Sequence, residues 1–167
     1  MTVTANGRVG PLHIDRSTRA EVIAFVGRAE SEVAGRYDSF PRFDALGYGC
    51  KGRRATDQAG GPACETVFYL DAHSGKLALL WTEDPRYRNL YGIHAGTPTA
   101  VAETALRRTV HSPGCLAQLR ITTKSAFLVA VFGGGRSSGT RLVGGHVDAL
   151  VVHSRTLNPG VLDCIDG

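Results

Sequence analysis

Hydrophobic and polar positions change period several times along the chain. Val22, Phe25 and Val26 are spaced to share one helical face. Ahead of them, Thr18-Arg19-Ala20-Glu21 reads as a capping box, the threonine hydroxyl taking a backbone N–H while Glu21 reaches back. Gly27 reads as the stop. A thinner apolar stripe, Val101, Ala105 and Leu106, follows Thr97-Pro98 or Thr99 as the start, and Pro98 suits a first helical turn, where its missing N–H has no intrahelical partner. The spacing therefore predicts helices over 18–26 and 99–107. Residues 1–9 read as a short, loosely held lead-in. Glu30 to Arg36 offers a second short helix that Pro41 forbids from continuing.

Elsewhere the period is two. Val67 to Leu70 and Leu77 to Thr82 read as strands, with Leu77, Leu79 and Trp81 on one face and Asp71 to Gly75 as the hairpin loop between them. Leu119 and Ile121 alternate with Gln118, Arg120 and Thr122, as in a half-buried strand. Ala126 to Phe132 is apolar throughout, which predicts a strand covered on both faces. Gly133 to Gly145 reads as a polar, glycine-rich loop, and Val147 to Val152 as the last strand.

Parts of this pattern occur twice. Leu12 to Ala20 lines up with Ile93 to Val101, Asp15 falling on Gly96, and Gly75 to Leu80 lines up with Gly145 to Leu150. Each half also carries a Gly-Cys pair, Gly49-Cys50 and Gly114-Cys115. The expectation is an α+β tandem duplication: a first unit over 9–84, a second over 88–153, and a tail over 154–167 tied back by a disulfide. Each unit would pack one or two helices on a three- to four-stranded antiparallel sheet, the strands together forming one extended, curved sheet.

Composition narrows the partners. The 167 residues carry a net charge of +4 without a clustered basic face beyond Lys51-Gly52-Arg53-Arg54 and Arg107-Arg108, which argues against nucleic acid. No apolar run approaches membrane-spanning length, and no apolar segment of an export signal follows Met1. Four cysteines without C-x-x-C spacing point to two disulfides, Cys50–Cys64 across a glycine-rich basic loop and Cys115–Cys164, and hence to an extracytoplasmic protein whose signal is absent from this chain.

Candidate chemistry is sparse. His111 and Cys115 lie close in sequence, but a reactive thiolate needs an orienting third group, and a disulfide is the better use of the cysteine. The histidines His13, His73, His94, His111, His146 and His153 show no metal-ligand spacing, and the glycine runs precede strands and not a phosphate-binding helix. No catalytic residue, metal or cofactor is assigned. Tyrosine, tryptophan and arginine carry much of the energy of protein interfaces. Trp81, Arg86, Tyr87, Arg88 and Tyr91, joined by Asp71 and His73 of the first hairpin, are therefore the candidate partner-binding residues. Loops 51–63 and 133–145 are further candidates.

The Thr18-Arg19-Ala20-Glu21-Val22 helix start, followed by a cysteine and a run of antiparallel strands, resembles the tandem repeats of the beta-lactamase inhibitor protein (BLIP) family. It resembles more distantly the single repeat of the BamE/SmpA outer-membrane assembly lipoproteins. The second copy stands as Gly96-Thr97-Pro98-Thr99-Ala100. The resemblance implies two helix-then-sheet units, secretion, disulfides, and binding without catalysis. In the inhibitors, the first repeat's hairpin inserts an aspartate into the target; the matching loop here is Asp71 to Gly75, with Asp71 at the strand end. The functional expectation is an exported, non-catalytic module recognising another protein or a cell-envelope component. The alternative is a small-ligand-binding or hydrolase-like protein with its site in the sheet concavity.

Overall fold

The computed structural model describes residues 1–34, 43–50, 63–110, 117–138 and 141–157. In chain order these form β1 (Thr2–Val3), β2 (Arg8–Val9), β3 (Leu12–His13), α1 (Arg19–Val26), β4 (Ser31–Ala34), β5 (Phe43–Cys50), β6 (Cys64–Asp71) and β7 (Leu77–Thr82). They continue as β8 (Arg88–Asn89), α2 (Thr99–Leu106), β9 (Ala117–Thr122), β10 (Ala126–Gly133), β11 (Arg136–Ser138), β12 (Arg141–Val143) and β13 (His146–Ser154). A seven-stranded sheet runs β4-β5-β6-β7-β13-β10-β9, a four-stranded sheet runs β3-β2-β1-β8, and β11 and β12 form a separate hairpin. Every neighbour in the large sheet is antiparallel; in the small one, β1 pairs parallel with β8.

The α+β tandem of helix-on-sheet units is not what forms. Strand takes 50% of the described residues and helix 13%. Each helix has eight residues and buries little: Val22 from α1, Thr99 and Ala102 from α2. Two such helices are too thin to make a layer. The second helix read at Glu30 to Arg36 is instead strand β4 over Ser31–Ala34, paired with β5. Residues 1–9, a lead-in by sequence, supply β1 and β2, and the small sheet they join supplies the cover expected of helices. The sheet is therefore not one but two, of four and seven strands.

The central strands explain the need for that cover. In β10, Ala126 to Phe132 are buried without interruption, as the apolar run predicts. Leu128 packs with Val3, Val9, Leu12, Phe68 and Val152 on one face. Phe127, Val129 and Val131 pack with Leu79, Ala149 and Val151 on the other. Ala130 and Phe132 continue the first face toward Ile93 and Ala102 under α2. Burying a side chain such as Phe68 or Leu128 contributes about 1.5–3 kcal/mol.

One face assignment fails for a specific reason. The pairing shifts between Tyr69 and Leu70, which face Leu79 and Leu77, so Ala78 is an extra residue. A bulge of one residue reverses which side follows. Leu77 and Leu80 thus join the face under the small sheet, while Leu79 and Trp81 lie on the opposite one. β13 carries the same device at Asp148, between Val147 and Ala149.

What recurs is the turn entering each helix. Asp15 N–H donates to Leu77 O and Leu77 N–H to Ser17 O, both at 2.7 Å. Gly96 N–H donates to Val147 O (2.7 Å) and Val147 N–H to Thr97 O (2.8 Å). Ser17 Oγ and Thr97 Oγ1 each accept, at 3.0 Å, from the N–H of His13 and His94. Both turns need a left-handed residue, Asp15 at φ 64° and Gly96 at φ 89°; aspartate and glycine are among the few residues that tolerate it. Ser17 answers to Thr97 and Thr18 to Pro98, so the second turn is one residue shorter. The capping box at Thr18 and Glu21 forms as predicted, whereas Pro98 leaves α2 without a side-chain cap.

Gly75 and Gly145, matched in sequence, separate the cost of a left-handed backbone from that of a clash. A Cβ on Gly75 (φ 67°) meets nothing within 4 Å, but one on Gly145 (φ 79°) lies 2.2 Å from Gly133 O and 2.7 Å from Gly135 N. Gly75→Ala is expected to lose about 1 kcal/mol and Gly145→Ala about 3 kcal/mol or more. Urea unfolding of both variants checks the difference, and equal losses would contradict the close approach at Gly145.

Candidate functional site

Strand alternation in the small sheet divides its side chains cleanly. Val3 and Val9 face each other and are fully buried, and Leu12 is buried beside them. Their neighbours Thr2, Thr4 and Arg8 point the other way, as successive strand residues must. Arg8 pairs across to His13, and Thr2 lies beside Arg88 in the parallel β1–β8 pair. The outward face thus carries Arg8, His13 and Arg88 around two threonines.

This face is rigidly backed. In the β1–β2 turn, Gly7 N–H donates to Thr4 O and Thr4 N–H to Arg8 O, while the Thr4 hydroxyl donates to Asn6 Oδ1. The β9–β10 turn is sewn onto it: Thr123 Oγ1 donates to Ala5 O at 2.8 Å and Ser125 Oγ to Asn6 O at 3.1 Å. Between these elements lies an open cleft of about 530 Å³ lined by Thr2, Thr4, Asn6, Arg8, Leu90 and Thr123, with Ala5 and Gly10.

The turn after β8 supplies the apolar side. Asn89 is buried, and its Oδ1 accepts from Tyr91 N–H at 2.9 Å and Ile93 N–H at 3.0 Å. Its backbone adds bonds to Gly92 and Ile93. The tightly held turn presents Leu90, 73% exposed, and Tyr91, 60% exposed.

The seven residues expected at a partner interface are placed in several different settings. Asp71 and His73 sit at one end of β7 and residues 83–91 at the other, about 20 Å apart at roughly 3.3 Å per residue. Asp71 is occupied by its own turn: the Ser74 N–H on its carboxylate, at 2.6 Å, holds it below the usual carboxylate range. His73 is exposed at the tip. Trp81 is half-buried with Leu79 on the face away from the small sheet. Arg86 is bound to the buried Asp84, whose carboxyl stays low through those hydrogen bonds despite burial. Tyr87 is core, 4% exposed, and burial pushes its hydroxyl up to about 12. Arg88 lies beside cleft-lining Thr2 in the β1–β8 pair, and Tyr91 follows cleft-lining Leu90 in sequence. Of the cysteines, Cys50–Cys64 is bonded across β5 and β6; Cys115 and Cys164 lie outside the described residues, as does loop 51–63 save Ala63.

Sequence reasoning missed Thr2, Thr4, Arg8 and Leu90. Their signal was the alternation Thr2-Val3-Thr4 and Arg8-Val9, too short to read as strands. The second loop candidate, 133–145, holds the β11–β12 hairpin.

The other shifted groups serve structure. Glu21 is lowered by the N–H of Thr18 that it caps, and Glu30 by the N–H groups of Cys50 and Gly49. His153, Ser154 and Asp15 hold the side-chain types of a catalytic triad without its geometry. Ser154 Oγ donates to Asp15 Oδ2 at 2.8 Å, whereas the His153 ring stacks on Phe127, 4.9 Å between centroids, with its Nδ1 toward Ser154 O. Among the described residues, no three His, Cys, Asp or Glu side chains gather to hold a metal ion. No protein-family model, curated protein or solved structure matches the chain.

His153 makes stability sensitive to acid. It is 1% exposed, its Nε2 has no hydrogen-bond partner among the described residues, and burial pushes its pKa down. The unfolded imidazole titrates near pH ~6.5. Below that pH the unfolded chain takes up a proton that the native chain resists, so stability falls as pH falls toward the native value. Urea unfolding between pH 7.5 and pH 5, approximate limits that bracket this titration, is expected to show a steeper loss in the wild type than in His153→Leu. Parallel profiles would remove His153 as the cause.

Proposed function

We propose that the protein is an exported, non-catalytic binding module that recognises another protein through the Leu90–Tyr91 turn and the adjoining cleft. The observation that carries the reading is a turn whose backbone is held by buried Asn89 while two large apolar side chains stand in solvent. Preorganisation of this kind lowers the entropy lost on association, and exposed apolar groups beside a cleft mark interaction sites. The structural employment of the shifted carboxylates and of Tyr87 supports binding over catalysis. The Cys50–Cys64 disulfide supports export, because cytosolic thiols are kept reduced. The resemblance at Thr18 to Val22 points to the same class of function. The cleft itself favours a second reading, a small ligand over Thr2, Thr4 and Arg8.

A photo-cross-linking residue at position 91, presented to the extracellular fraction of the native organism, decides between them. The expected result is a discrete protein adduct from position 91 and none from position 73. A gain of only small-molecule mass supports the second reading, and equal adducts from both positions overturn the assignment of the turn. Export has its own check: alkylation of natively sourced protein without reductant should leave Cys50 and Cys64 unmodified, and labelling of both would contradict it.

A further inference from the structure

The outward face of the small sheet is one-signed. Its strand residues are Thr2, Val3, Arg8, Val9, Leu12, His13, Arg88 and Asn89, with no carboxylate among them. Two other arginines are neutralised: Arg19 pairs with Glu32 and Arg86 with Asp84. Arg8 and Arg88 have no acidic partner among the described residues, and both are exposed.

Their placement follows from register. Thr2 lies beside Arg88, and the Val3–Val9 pairing puts Thr4 beside Arg8, so the two guanidiniums stand two strands apart and two residues staggered. At about 4.8 Å between strands and roughly 3.3 Å per residue, their Cα atoms are about 12 Å apart. That separation suits two acidic side chains of one short segment. Leu90 lines the same cleft as Arg8, Thr2 and Thr4, supplying an apolar wall beside the charge.

We propose that this face binds an acidic peptide segment of the partner, its carboxylates on Arg8 and Arg88 and an intervening apolar side chain against Leu90. The inference rests on the binding-module reading and names the chemistry of the partner's segment. Guanidinium groups match carboxylates in fork geometry, and neither arginine has to give up an acidic partner to accept one. Two arginines and a leucine wall suit a peptide better than a polyanion, whose affinity depends on many cations.

The probe is a blocked peptide of alternating aspartate and leucine, compared with its asparagine counterpart, titrated into the full ¹⁵N-labelled chain. The amides of Thr2, Thr4, Arg8 and Leu90 are expected to shift with the aspartate peptide. Binding should weaken by about tenfold or more for the asparagine peptide and for the variant combining Arg8→Gln and Arg88→Gln, and should weaken with added salt. Both side chains are exposed, so the double variant should keep the dispersed spectrum of the parent; its own spectrum verifies that. Absence of shifts, equal shifts with the asparagine peptide, or binding unmoved by the double substitution overturns the proposal. A heparin fragment that binds these amides more tightly than the aspartate peptide also overturns it, in favour of a polyanion. Failure of the peptide while position 91 still cross-links to a protein removes this inference and leaves the binding-module reading in place.

Discussion

Everything in this fold answers to three adjacent strands, β7, β13 and β10, that are apolar on both sides. A half-buried sheet can leave one face to water; this one cannot, because Leu128 and Val152 need cover on one side while Val129 and Val151 need it on the other. The cover under α1 comes from Val3, Val9 and Leu12, three residues on strands of two residues each. Strands so short have little stability alone. They persist because each puts one apolar side chain into a core that would otherwise be wet.

The cleft follows from that arrangement. Once alternate residues of β1 and β2 are committed inward, Thr2, Thr4 and Arg8 are left on the outward face, where they line the cleft. The turn after β8 stands above them for the same reason, since Asn89 is drawn inward and leaves Leu90 and Tyr91 outside. This surface is the reverse side of a packing solution.

Much of the large sheet was legible in the sequence, because its strands are long enough for period two to show. The unbroken apolar run of Ala126 to Phe132, the Asp71 to Gly75 hairpin, the capping box at Thr18 and the Cys50–Cys64 pair all appear where they were expected. The small sheet was not, because two residues cannot display a period. The bulges at Ala78 and Asp148 were also invisible, since a single inserted residue changes no composition. The recurrence between the halves was real as a turn and misleading as a layer: Asp15 and Gly96 do the same backbone work, but the helices they introduce bury too little to define the architecture. The spread of the candidate interface residues was also hidden, because the length of β7 lies between Asp71 or His73 and residues 83–91.

The parallel pairing of β1 with β8 joins Thr2 and Val3 to Arg88 and Asn89, across just over half the chain. Contacts so remote in sequence carry a large loop-closure cost and belong to the late part of folding. The large sheet is mostly built from hairpins between neighbouring segments, so it has a shorter route to its native pairing. The small sheet is thereby the last part to assemble and among the first to open, and a local excursion can part β1 from β8 while leaving the β5–β6–β7 framework intact.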